Sequence, residues 1–106
     1  MDQKLKKLWI SALSSGKFEK GKGSLNRENK FCCLGVLCEI LNLPKALEND
    51  DLQTRYIHEG FEFAGLLFLP LLRDIGMSEA IQTKLIRTND ATDNFKQVIA
   101  IIEEEL

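Results

Sequence analysis

The run Phe31-Cys32-Cys33-Leu34-Gly35-Val36-Leu37-Cys38-Glu39-Ile40-Leu41 carries a single charged side chain, Glu39. It is far shorter than the roughly 20 apolar residues that span a bilayer. It is also too apolar to lie on a surface, so the chain must bury it and arrange itself around it. Phe31, Leu34, Cys38 and Leu41 share one helical face, Leu37 flanks that face, and Cys33 and Val36 are apolar on the others. This pattern predicts a nearly enclosed central helix over 31–42. Gly35 in its middle costs about 1 kcal/mol relative to Ala, and the expected compensation is close approach by another backbone. Leu43-Pro44 ends the element, because the residue before a proline avoids the α region.

Three cysteines in this run raise the question of chemistry. Zinc needs four ligands converging tetrahedrally, usually from two short knuckles. On one helix Cys33 and Cys38 point about 140° apart, and His58 is the only histidine available as a fourth ligand. A cysteine nucleophile needs a lowered pKa and a nearby base. Cys32 near the helix start has the dipole, but no spacing ties it to His58. A C-x-x-C redox pair is missing. Small buried hydrophobes is therefore the preferred reading, with no metal, no cofactor and no enzymatic activity expected. The odd cysteine count favours free thiols in a reducing compartment. The N-terminal MDQKLKKLWISAL lacks the pattern of a signal peptide.

The remaining segments supply partners for the central helix. Leu5, Leu8, Trp9, Ala12 and Leu13 form one stripe, predicting a helix over 2–15 ended by a left-handed Gly16. Residues 17–30 are polar and read as a loop, with room for a short irregular hairpin. Residues 45–53 read as a polar connection. Tyr56, Ile57, Phe61 and Phe63 around His58-Glu59-Gly60 suit a hairpin over 54–65 with Gly at the turn. Pro70 suits the start of a short helix ended by Gly76. Ser78 caps the next, with Ala80, Ile81, Leu85 and the stem of Lys84 inward, and Asn89-Asp90 marks a turn. Phe95, Val98, Ile99 and Ile102 predict a last helix, with Asn94 and Gln97 as a capping box. Its terminal glutamates are placed to be solvated or to meet Lys4, Lys6 and Lys7. The sum is one α+β domain over 1–106, of about four helices and a small β-hairpin.

With 28% charged residues and a net charge of -2, the chain has no global polycation for nucleic acid or anionic membrane. The one local excess is the 17–30 segment. There Lys17, Lys20, Lys22, Arg27 and Lys30 face Glu19 and Glu28, a balance of +3. Gly21 and Gly23 free backbone amides beside these cations, a combination that can hold a phosphate, although the P-loop spacing is missing. The bland alternative is a solvated loop whose glycines only turn the chain. Tyr56 and His58, with Arg55, are candidates to line a ligand pocket on the hairpin. Asn89 and Asp90 are candidates to bind ligand hydroxyls or amides, against the simpler reading of a turn.

Trp9, Ala12, Leu13, Ser15, Gly16, Phe18, Gly21, Gly23 and Leu25, followed by Phe31 to Cys38, form a pattern that resembles a group of uncharacterised small bacteriophage and prophage proteins. Leu85 to Asp90, Phe95 and the acidic-tailed helix fit as well, and the match is weakest over 44–80. Position 20, more often glutamine in that group, is Lys20 here. The resemblance implies action in a bacterial host cytoplasm and supplies no catalytic residue. Two functional expectations follow. One is a non-enzymatic module that sequesters a phosphate-bearing host defence signal, of the cyclic-nucleotide type, through the Gly/Lys loop. The other is an inhibitor or adaptor that binds a host or phage protein. A symmetric homodimer is one way for a chain this small to complete a pocket.

Overall fold

The computed structural model describes residues 1–46 and 52–106, so part of the 45–53 connection lies outside the described residues. The elements are α1 (Gln3–Ser14), β1 (Glu19–Lys20), β2 (Asn26–Arg27), β3 (Lys30–Phe31), α2 (Cys33–Ile40), β4 (Tyr56–His58), β5 (Phe61–Phe63), α3 (Leu69–Ile75), α4 (Glu79–Ala91) and α5 (Lys96–Glu105). The architecture is a single α+β domain of five helices and two small sheets among the described residues, against the expected four helices. No helix among them is long and apolar enough to cross a membrane.

Helix α2 is the centre of the core. Cys33 through Cys38 are all buried, with α1 and α4 packed against it and α5 against both of those. The compensation for Gly35 is visible: a Cβ there would lie 2.5 Å from the Leu25 carbonyl carbon and overlap its oxygen. The Trp9 indole, fully buried, donates to the Cys33 carbonyl at 2.9 Å and pins α1 to the start of α2. The three thiols are buried and free, as small apolar side chains in a core.

Several expectations are corrected. The central helix begins at Cys33, with Cys32 as its N-cap, and Phe31 belongs to a strand. The segment read as a loop with room for a short hairpin holds that hairpin, the antiparallel pair β2–β3, and adds β1 in parallel beside β3, giving a three-stranded sheet of order β1-β3-β2. The β2–β3 turn uses Glu28 and Asn29 at φ 52° and 62°, the twist that matches a tight hairpin. Strands this short carry no alternation to read. Helix α4 continues through Asn89-Asp90 to Ala91, because tertiary hydrogen bonds to Asn89 override its turn preference. Ala80 is exposed while Gln82 is buried. The Gln82 amide accepts from the Leu67 N–H at 2.7 Å and donates to the Leu67 carbonyl at 3.2 Å. Lys84 points outward to Glu105 at 2.8 Å. In place of a capping box, the Asn94 side chain accepts from the Lys96 N–H. Lys6 reaches the Glu103 carbonyl rather than a terminal carboxylate.

The β4–β5 hairpin agrees with its expectation. Tyr56 pairs with Phe63 and His58 with Phe61, and Glu59-Gly60 turn the chain at φ 51° and 82°. Gly16 and Gly76 take the left-handed conformation just past α1 and α3.

Candidate functional site

The glycine loop is folded onto the protein. The Gly21 N–H donates to the Phe31 carbonyl at 2.7 Å. The Gly21 carbonyl accepts from the Asn89 side-chain amide at 3.0 Å. A Cβ at Gly21 would lie 2.9 Å from Lys30, so glycine here permits a close strand approach. The Gly23 N–H donates to the Asp90 carboxylate at 3.3 Å. A side-chain anion thus already meets one of the amides that the loop offers.

Asn89 is the junction of this region. It is fully buried, and its side-chain oxygen accepts from the Cys33 N–H at 3.1 Å, capping the first turn of α2, where Cys32 makes no side-chain cap. One amide therefore ties α4 to both α2 and the glycine loop. An unpaired buried backbone N–H costs about 1–3 kcal/mol, which explains a polar residue in this core.

Tyr56 is likewise structural. It is fully buried, donates to Glu39 Oε2 at 2.8 Å and accepts from Asn26 at 3.3 Å. Burial, with the Glu39 carboxylate beside it, holds its phenol well above the usual range against the opposing hydrogen bond from Asn26. His58 lies on the same hairpin with Nε2 3.0 Å from Asp74 Oδ2. Lys17, Lys22 and Arg27 are exposed.

Lys20 stands apart from the other loop cations. It lines a cavity of about 470 Å³ between the end of α1, β1 and the start of α5. Leu13, Phe18, Phe95 and Ile99 form its apolar walls, and Asp93 and Lys96 its charged rim. The Lys20 Nζ is screened from solvent and is the only buried side-chain nitrogen or oxygen among the described residues without a hydrogen-bond partner. Desolvation lowers its pKa, with Lys22 next, against the opposing pull of Asp90 and Asp93. The cavity sits at the N-terminus of a ten-residue helix, where backbone amides favour anions. Of the loop residues singled out from sequence, Lys20 is the one brought to it. Asp93, Phe95 and Lys96 were missed, since no local pattern ties them to a segment more than seventy positions earlier.

All three cysteine thiols are buried and shifted away from the thiolate form. Burial pushes Cys32 up to about 11, with the Gly35 and Leu34 amides opposing, and raises Cys33 and Cys38 as well. The thiols belong to none of the metal-capable groupings among the described residues. No curated protein and no solved structure matches the chain. The family model for a domain of unknown function, DUF8296, matches residues 1–73, from α1 into α3, and the chain belongs to that family.

Proposed function

We propose that this protein is a non-enzymatic binding module that takes a phosphate-bearing small molecule at the Lys20 cavity. The observation that carries the reading is the Lys20 ammonium. A buried cation with no partner is unfavourable by itself and is stabilised by an anion. Lys20 lines the cavity together with Lys96 and the start of α5, which add positive potential against the single carboxylate of Asp93. The apolar walls suit the body of a nucleotide-like ligand. The phosphate site of this proposal is centred on Lys20 rather than on the amides of Gly21 and Gly23. Together with the resemblance to phage and prophage proteins, it supports capture of a host signal of the cyclic-nucleotide type.

The test is thermal-shift and calorimetric titration with inorganic phosphate, nucleoside monophosphates and cyclic nucleotides, on wild type and on Lys20→Met. Saturable stabilisation of the wild type, lost in the variant, is the expected result. Equal responses from both proteins, or none from either, refute the reading.

A second reading, an adaptor for another protein, is favoured by a different surface. Phe61, Leu66 and Leu69 are 63%, 54% and 43% exposed, and Phe61 stacks beside Phe68 at 5.5 Å. Exposed aromatic and leucine side chains grouped in this way mark protein contact sites. Phe61→Asp abolishes partner capture under this reading and leaves small-molecule binding intact under the first.

A further inference from the structure

Away from the Lys20 cavity, the β4–β5 hairpin and α3 bring together one imidazole and two carboxylates. His58 ends β4, Glu59 opens the hairpin turn, and Asp74 lies in the last turn of α3. His58 Nε2 is 3.0 Å from Asp74 Oδ2 and 3.9 Å from Glu59 Oε1. One donor atom from each of the three lies within 4.8 Å of the others. Donors bound to a metal at about 2.0–2.2 Å sit roughly 3–4 Å apart around it. Two of these spacings already fall in that range, and Glu59, with 62% of its side chain exposed, is free to close the third.

Charge makes the same case. Two carboxylates share one imidazole, and among the described residues no lysine or arginine lies within ion-pair distance of either. Even a protonated His58 leaves the group net negative. The imidazole is also held in place, with its ring edge-on to Phe68 at a centroid distance of 5.9 Å and 66° between planes. A fixed nitrogen donor next to two oxygen donors is the donor set of borderline divalent metals such as zinc, cobalt or manganese.

We infer that His58, Glu59 and Asp74 form a solvent-facing divalent-cation site that joins the hairpin turn to α3. Three protein donors leave the remaining coordination positions to water. This site is independent of the Lys20 cavity and stands or falls separately from it.

Cobalt(II) is the probe, because its visible bands report coordination and its near-ultraviolet thiolate band reveals any cysteine ligand. The expected result is one equivalent bound without a thiolate band. Affinity falls at least tenfold in His58→Gln and in Asp74→Asn, and both variants keep the wild-type circular dichroism. Absence of binding in the wild type overturns the site. So does undiminished binding in both variants, which identifies the contacts as an ordinary ion pair. A thiolate band overturns it by assigning the metal to the cysteines.

Discussion

Replacing Gly35 with Ala sets two effects of opposite sign against each other. In an isolated helix the change is favourable by about 1 kcal/mol. Here the new methyl would stand 2.5 Å from the Leu25 carbonyl carbon and overlap its oxygen. Leu25 is fully buried and has no slack. Its carbonyl accepts from Cys32 N at 3.1 Å, and its N–H donates to the Ala64 carbonyl at 2.8 Å. Moving it aside strains both bonds and opens the joint between α2 and the small sheet. Overpacking of a core costs about 1–3 kcal/mol, and each buried group left unpaired about 1–3 kcal/mol more. After subtracting the propensity gain, the expected net loss is about 3 kcal/mol. For a domain of this size that lowers Tm by about 12–24 °C. Urea unfolding measured alongside calorimetry checks the magnitude. An unchanged or raised Tm for Gly35→Ala would show that helix propensity decides this position and that the close approach does not exist.

Asn89→Leu leaves the Cys33 N–H and the Gly21 carbonyl without their partner, so it should destabilise by about 2–4 kcal/mol, readable as a shift of the urea midpoint. Lys20→Met removes a desolvated, unpartnered cation, and the unliganded variant should melt above the wild type in calorimetry; a lower Tm means that the ammonium has a partner. The buried thiols make stability fall in alkali. Their pKa values are raised on folding, so their contribution is complete below the unfolded value of 9.0 and is lost as pH climbs from there toward about 11 and beyond. Cys38→Ala should flatten that limb in a series of melts from neutral to alkaline pH. Native-state labelling of Cys33 and Cys38 at neutral pH should be slow and limited by opening of the fold; prompt modification of all three cysteines contradicts the buried helix.

The candidate site was partly legible in the chain. Lys20 stood out because glycines and cations cluster around it, and it alone of that cluster reaches the cavity. The proposed amide cradle was not legible as what it is. Whether Gly21 and Gly23 offer their N–H groups outward depends on Phe31 and Asp90, which the local pattern does not mention. Asn89-Asp90 misled for the same reason. The pair has turn propensity, but the hydrogen bonds of the buried Asn89 side chain to Cys33 and Gly21 outweigh it, and the helix runs through.

What the amino-acid order settled by itself is whatever repeats locally. The stripe of Leu5, Trp9 and Leu13, the enclosure of Leu34 to Cys38, the hairpin at Glu59-Gly60 and the stops at Gly16 and Gly76 all follow from periodicity and backbone preference within a few residues. Even the close contact at Gly35 was implied, though its partner was not. Tertiary structure alone chose Leu25 as that partner. It also set β1 beside β3 in parallel, placed Asn89 under Cys33, and stood Phe95 and Lys96 across from Lys20. Each of these is one contact between distant segments. Such a contact is selected by the free energy of the whole packed arrangement, and it leaves no period in the chain to read.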